Sequence, residues 1–412
     1  MEKYIEVYAA WKEFSHKVPL IGILYINKKR NDEFIAFEYD KQWLSEFAKI
    51  YYLDPDIYPF AGRQYSKMDK LWFGMFFDSA PDRWGRTLMQ RKESILAKRE
   101  NREVRHLHES DYLLGVSDFV RSGGFRFKEQ GSDYFLAKED ILAIPPIARL
   151  RELESWSLKS EDNSEEEEWI LRLIELGSSL GGARPKASVT DEKGELWIAK
   201  FPSMSDFNNI GAWEKVAHTL AEMCKIRVPE TQIFSFTEQG STFLTKRFDR
   251  LENKERLHYT SALSLLGRKD GDKDASYLEL VEFILQYGCN IETDLEELFR
   301  RVLFNIAISN TDDHLRNHGF ILSRKGWMLS PAFDLNPNPR GNSLSLAIDE
   351  INQNLDIELA LSQAHHYRLN YKQACAIKDE MLEQISKWQE IAISFGINNY
   401  EIDQMQSAFK LK

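Results

Sequence analysis

The chain has 412 residues, 43% of them hydrophobic, enough for two or three domains with sizeable cores. Its 54 Lys and Arg stand against 65 Asp and Glu, a formal charge of −11; that balance argues against direct tight binding to DNA or RNA, which needs a basic face to neutralise phosphates. Cys224, Cys289 and Cys375 are isolated, which argues against a disulfide framework or a zinc knuckle and fits a reducing cytoplasm; Met1 to Val7 contains no apolar signal-peptide core, and no apolar run approaches the roughly 20 residues that span a bilayer, so no membrane association is expected.

In chain order, residues 18–26 and 34–39 flank a polar turn and read as a β-hairpin. Residues 41–50 read as a short helix, 82–98 as an amphipathic helix rich in Arg and Lys, and 111–116 and 124–127 as further short elements. Residues 151–169 include four successive glutamates, Glu165 to Glu168, a solvated linker running into a helix at 167–176, and a domain boundary is expected there. Beyond it the chain changes character. Gly177 to Lys186 is a small-residue loop, followed by strands at 186–189 and 195–201, a helix at 212–223 and strands at 232–236 and 242–247. After about Leu251 helices dominate, at 261–266, 276–286, 295–309, 358–364, 372–395 and 400–409, interrupted by a hairpin from Gly319 to Leu329 that turns at Arg324 and Lys325. A β-rich lobe followed by a helical lobe is the order of a protein-kinase-like bilobal fold. The expectation is therefore an α+β chain with a mixed α/β domain at 1–160, a small lobe at 161–250 and a helical large lobe at 251–412.

The residues that carry chemistry follow the same order. Phosphoryl transfer needs a carboxylate near the attacking hydroxyl and hard oxygen ligands for the magnesium that bridges the phosphates of ATP. Asp312 is placed to be that catalytic base, with Asn317 and Asp334 as metal ligands; the hairpin between them would return Asp334 towards Asn317. Taken alone, Asn310, Asp312 and Asn317 read equally well as caps and turns after a helix ending near Ser309. A kinase also needs a glycine-rich loop, a strand lysine and a helix glutamate upstream. The loop at 177–186 has three glycines that let backbone N–H groups approach phosphates, and it lacks the G-K-[ST] of a Walker A motif. Lys200 lies late in an apolar strand, where it can reach the α/β-phosphates, and Glu214 on the next helix can pair with it; singly, each also reads as a solvated surface residue. Phe243 to Arg250 leaves a strand just before the helical region, where a hinge offers backbone groups to adenine. His314, His318 and Asp313 mimic a metal cluster, but a role for His314 in orienting the loop, as in kinases, outweighs zinc.

Ser178-Ser179-Leu180-Gly181-Gly182-Ala183-Arg184-Pro185-Lys186 resembles the S-S-x-G-G-x-x-P-K signature of the HipA-type serine/threonine kinases, the toxin halves of bacterial type II toxin–antitoxin pairs. Ile198 to Pro202 resembles the family's lysine strand, Lys246 to Arg250 its R-F-D-R hinge, Asn310 to Asn317 its N-x-D-x-H-x-x-N loop and Pro331 to Leu335 its P-x-[YF]-D-L metal motif. Phe37 to Asp40 and Leu114 to Asp118 fit the family's preceding domain, so the resemblance covers most of the chain. It implies Asp312 as catalytic base, Asn317 and Asp334 as magnesium ligands, and Gly181, Gly182, Ala183, Arg184, Pro185, Lys186, Lys200 and His314 around the ATP phosphates. Lys246, Arg247 and Phe248 would hold the adenine. It also implies autophosphorylation of Ser179, or of the adjacent Ser178, which ejects the loop and switches the enzyme off; a phosphate adding about −1.5 to −2 charge cannot stay where ATP phosphates must sit. Family substrates include aminoacyl-tRNA synthetases, so translation is the expected target. The expected partner is a helix-turn-helix antitoxin of HipB type, with DNA reached only through it. One departure is Asp313, which puts a second negative charge beside the base.

Two other readings compete. In one, the chain is a catalytically vestigial regulatory partner of such an antitoxin, against which the intact Lys200, Asp312, Asn317 and Asp334 argue. In the other it phosphorylates a small molecule, since bilobal folds also act on sugars and aminoglycosides; the glycine–serine loop and the additional N-terminal domain speak against it.

Overall fold

A computed structural model describes residues 2–29, 32–66, 72–81, 83–137, 144–161 and 184–410. The chain divides into two compact units: one spans residues 1–204, 246–260 and 322–324, the other 205–245, 261–321 and 325–412.

In the first unit, β1 (Glu2–Ala9), β2 (Leu20–Lys29), β3 (Asp32–Tyr39), β4 (Gln64–Tyr65) and β5 (Phe125–Glu129) form one sheet in the order β4-β3-β2-β1-β5. The expected hairpin is β2–β3, with Leu24 opposite Phe37, and a further strand not expected from the sequence, β1, lies between β2 and β5. The period of two explains it: Ile5, Val7 and Ala9 point to the buried face while Glu6 and Tyr8 point away. Helices α1 (Lys41–Glu46), α2 (Gly74–Phe77), α3 (Arg83–Arg99), α4 (Glu109–Gly115) and α5 (Leu150–Glu161) follow, and Asp40 caps α1 by accepting from the backbone of Gln42 and Trp43. The antiparallel hairpin of β6 (Lys186–Thr190) and β7 (Leu196–Lys200) pairs Lys186 with Lys200 and Val189 with Trp197. Trp84 of α3 donates its indole N–H to the carbonyl of Lys186 at 3.2 Å, tying that strand to the N-terminal region.

The second unit begins with α6 (Ile210–Met223) and the hairpin of β8 (Thr231–Thr237) and β9 (Gly240–Lys246). Gly211 lets α6 approach β9; a Cβ there would stand only 2.1 Å from the carbonyl oxygen of Ser241. After β10 (His258–Ser261) come α7 (Ala262–Leu265), α8 (Tyr277–Tyr287) and α9 (Ile291–Ala307), the neighbouring strands β11 (Gly319–Ser323) and β12 (Gly326–Leu329), and α10 (Ile357–Ser362), α11 (Tyr371–Ile385), α12 (Trp388–Ser394) and α13 (Asn399–Met405). Helix α9 buries Leu295, Leu298, Phe299, Val302, Leu303 and Ile306, the i, i+3, i+4 stripe of a core helix. The helix expected at 372–395 is two. Ser386 turns its hydroxyl back to the carbonyl of Glu383, a bond that competes with the helical ladder, and Trp388 then stacks on Phe409 with centroids 4.1 Å apart. Among the described residues, no helix is long and apolar enough to cross a membrane.

Candidate active site

Helix α9 delivers the chain to the loop that carries Asp312. Ser309 adopts left-handed φ of +50°, and Asn310 is pinned to Asn305 twice, through its backbone N–H at 2.8 Å and its side-chain amide at 3.0 Å. Asp313 turns inward. Its buried carboxylate accepts from Tyr277 Oη at 2.6 Å, Asn305 Nδ2 at 2.7 Å and His318 Nε2 at 2.8 Å. Burial opposes ionisation here, yet the charge and hydrogen bond of His318, with the Tyr277 hydroxyl, hold the Asp313 carboxyl below the usual range. Burial and the same carboxylate push the Tyr277 phenol well up. The carboxylate noted beside the base is thus met by three buried donors, and Asp313 and His318 spend their facing atoms on each other; among the described residues, no group of three or more His, Cys, Asp or Glu is placed to hold a metal ion.

The buried Asp313–His318 pair brackets the loop, because Asp312 immediately precedes one member and Asn317 the other. Inside the loop, the carbonyl of Asp312 accepts from the His314 backbone at 3.0 Å and from Asn317 Nδ2 at 2.9 Å. The Asp312 carboxylate is exposed and makes no hydrogen bond among the described residues. A capping aspartate would spend its carboxylate on backbone N–H groups; Asp312 uses only its carbonyl, so the turn-and-cap reading does not account for its side chain. With its amide nitrogen committed, Asn317 has its side-chain oxygen left as a ligand atom.

Beyond β12, Asp334 is half-buried with φ of +56°, a left-handed conformation uncommon for a residue other than glycine and characteristic of functional sites. Two polar atoms of the segments that follow Asp312 and Asp334 are buried without hydrogen-bond partners among the described residues, His314 Nδ1 and Asn336 Oδ1. Carboxylate and amide oxygens are the hard donors magnesium takes, so Asn317 and Asp334 fit that ion by chemistry. A small cavity of about 10 Å³, close to the size of one water, lies behind Asn317 and is lined by Asn305, Asp313, His318 and Phe333.

Ser178, Ser179, Gly181, Gly182 and Ala183 lie outside the described residues, as does the glutamate-rich linker. Arg184 reaches the carbonyl of Phe201 at 3.4 Å, and the carbonyl of Pro185 accepts from the Phe201 backbone at 2.9 Å. Lys186 and Lys200 stand directly opposite across β6–β7 and so share a face of the hairpin. Glu214 is only 3% exposed, so the surface reading of that residue fails; His218 Nε2, one turn on, is 4.0 Å from it.

The expected adenine hinge is wired into the N-terminal region, a feature the sequence did not reveal. Lys246 Nζ pairs with Glu195 at 2.7 Å, and Phe248 packs edge-on to Tyr259 at 5.5 Å. The Arg247 backbone donates to the carbonyl of Leu196 at 2.9 Å. Its guanidinium is buried against Asp249, at 2.8 and 2.5 Å, and the carbonyl of Val120 at 2.6 Å. Asp249 also accepts from Gly123 N at 3.0 Å and Arg250 Nη1 at 2.8 Å. Arg121, wholly buried and donating to the carbonyls of Leu113 and Val116, is pulled down to about 9 by that burial. Burial of Asp249 is overcome by Arg247 and Arg250, which hold its carboxyl far below the ordinary value. Since the folded pKa is depressed, this stabilisation is complete above the unfolded value of about 3.9 and is lost as pH falls through the folded one. Asp249→Asn is therefore expected to melt earlier than the parent at pH 7, with the gap narrowing as the pH is lowered below about 4; melting curves from pH 7 to 2 that keep a constant gap would contradict the assignment.

The family model described as HipA-like C-terminal domain matches residues 178–390. A Haemophilus influenzae protein named as a candidate kinase is 27% identical over 197 residues, 42% of this chain and 57% of the relative. A candidate kinase of Sinorhizobium fredii is 30% identical over 156 residues, 34% of this chain and 37% of the relative. The matched segments thus span less than two thirds of either relative. A chain of the Shewanella oneidensis toxin–antitoxin complex of HipA, HipB and operator DNA aligns with a TM-score of 0.69 at 16% identity, covering 98% of this chain and 94% of that one. This likeness carries the fold: α+β, kinase-like and bilobal, preceded by a mixed α/β region, as expected from the sequence. Since the HipA-like domain accounts for more than half of its residues, the chain belongs to the HipA family.

Proposed function

We propose that this protein is an ATP- and magnesium-dependent serine/threonine protein kinase of HipA type. The observation that carries the reading is the loop from Asp312 to Asn317, held at both ends by the buried Asp313–His318 hydrogen bond while the Asp312 carboxylate stays exposed and uncommitted. Bound Mg-ATP supplies the γ-phosphoryl group and the counter-charge for its oxygens. The protein's own part is positioning: Asp312 accepts the proton of the attacking hydroxyl, and Asn317 and Asp334 offer oxygens to the metal. Lys186 and Lys200 face the phosphates, Glu214 braces Lys200, and residues 246–248 receive the adenine, with small and large lobes at 161–250 and 251–412 after a domain at 1–160.

The finer reading is a growth-inhibiting toxin of the cytoplasm that acts on a translation component such as an aminoacyl-tRNA synthetase. Phosphorylation of Ser179, or Ser178, ends its activity, and a helix-turn-helix antitoxin of HipB type restrains it and provides the link to DNA. The shared fold with a HipA from an assembled toxin–antitoxin complex supports this partner.

Calorimetric titration with ATP tests the cofactor claim. Mg-ATP is expected to bind the parent, with affinity falling on addition of EDTA, and Asn317→Ala and Asp334→Ala are each expected to weaken Mg-ATP binding roughly tenfold or more. Equal affinity of all three proteins with and without the metal would remove Asn317 and Asp334 from the metal site.

A further inference from the structure

The segment 398–410 runs past two elements of the proposed site. Its Glu401, in the first turn of α13, places Oε2 at the N-terminus of α6: the Asn209 backbone N–H donates to it at 2.9 Å and the Trp213 indole N–H at 3.2 Å. Asn209 is the N-cap of α6, accepting from Ala212 N, and its side chain is itself fixed to Ser241 of β9 through two further bonds of 2.9 Å. A carboxylate at that end also complements the helix dipole. Trp213 is fully buried and packs within 6.5 Å of both members of the stacked Trp388–Phe409 pair. A few residues on, the same segment grips the approach to the catalytic loop. Lys410 N donates to the carbonyl of Ala307, the last residue of α9, at 2.7 Å, and Ser309 Oγ donates to the carbonyl of Ala408 at 2.7 Å. Ser407 Oγ reaches the carbonyl of Pro339 at 2.9 Å, next to Asn338, whose N–H bonds the carbonyl of Ser309 at 3.2 Å. Ser309 is the left-handed residue three positions before Asp312, and such a conformation persists only where its surroundings hold it.

We propose that Glu401 is a positioning residue for phosphoryl transfer: through Asn209 and Trp213 it sets helix α6, which carries Glu214, while the segment it anchors holds the residues entering the Asp312 loop. The inference rests on the kinase reading, because it assigns Glu214 a role in that site. No catalytic group touches Glu401; its effect passes through α6 and through residues 307–309.

Both hydrogen bonds end on one oxygen, so the amide oxygen of glutamine can accept them and alanine cannot. In the full-length protein, Glu401→Ala is expected to speed hydrogen exchange in peptides from α6 and from residues 305–317, and Glu401→Gln to leave it close to the parent. Initial rates of Mg-ATP turnover are expected to fall about ten- to a hundredfold in kcat/KM for Glu401→Ala, to be largely restored in Glu401→Gln, and to fall by clearly less than the product of the two single losses when Glu401→Ala is added to Glu214→Ala, the remainder being the route through residues 307–309. Trp213→Phe, which removes one donor and keeps the packing, replaces the alanine variant should that fail to fold. Faster exchange confined to 398–410, or losses that multiply in the double variant, overturns the proposal. Wild-type protein without ATP turnover would instead contradict the kinase reading, and the exchange pattern alone would then decide whether Glu401 sets α6 and the loop.

Discussion

Asp312→Ala is expected to lower phosphoryl transfer by about 10²–10⁴-fold and to leave the melting temperature within about 2 °C of the parent. The asymmetry follows from the geometry. The carboxylate is exposed and holds no hydrogen bond among the described residues, so its removal strands no partner, while the loop stays fixed by the backbone carbonyl of the same residue. The isosteric Asp312→Asn should be as inactive, since an amide cannot take a proton at neutral pH. Initial rates with Mg-ATP, read beside calorimetric melting of the same samples, check both halves. A variant that transfers phosphate at the parent rate would remove Asp312 from the role of base.

One residue further on, the expectation reverses. Asp313→Ala is expected to cost about 3–5 kcal/mol of stability, the usual penalty for breaking one side of a buried pair, and to lower the melting temperature by on the order of 10 °C. Tyr277, Asn305 and His318 would each lose an acceptor in a site closed to water. Asp313→Asn keeps an acceptor oxygen and loses the charge, so an intermediate loss is expected. Activity should fall as well, because the pair fixes the residues next to Asp312 and Asn317. Denaturant unfolding of the two alanine variants side by side separates the roles, and parent-like stability of Asp313→Ala would show that the buried network contributes nothing.

Much of this was legible in the sequence because the relevant signals are local. The β2–β3 and β11–β12 hairpins, α3 and α6 declare themselves by alternation or by the helical stripe, and the loop motif is contained in eight successive residues. What escaped depends on partners distant along the chain. Asp313 looks like an unwelcome second charge until Tyr277, 36 positions away, and Asn305 are seen to donate to it. Arg247 and Asp249 read as part of a hinge; that they also tie into Val120 and Gly123 rests on contacts 127 and 126 positions apart. Glu214 is an acidic residue buried at 3% exposure, against the ordinary preference of glutamate for water, which no periodicity announces. The break between α11 and α12 carries neither Pro nor Gly and depends on one serine hydroxyl and on where Trp388 finds its stacking partner.

The most direct test of phosphoryl transfer is mass spectrometry of the intact protein and its peptides, starting from unphosphorylated material incubated with ATP and magnesium, with Asp312→Ala alongside. The kinase reading predicts a gain of one phosphate on Ser179 or Ser178 in the parent and none in the variant. No gain in the parent, or the same gain in both, would contradict it and turn attention to a vestigial partner of an antitoxin or to a kinase of small molecules.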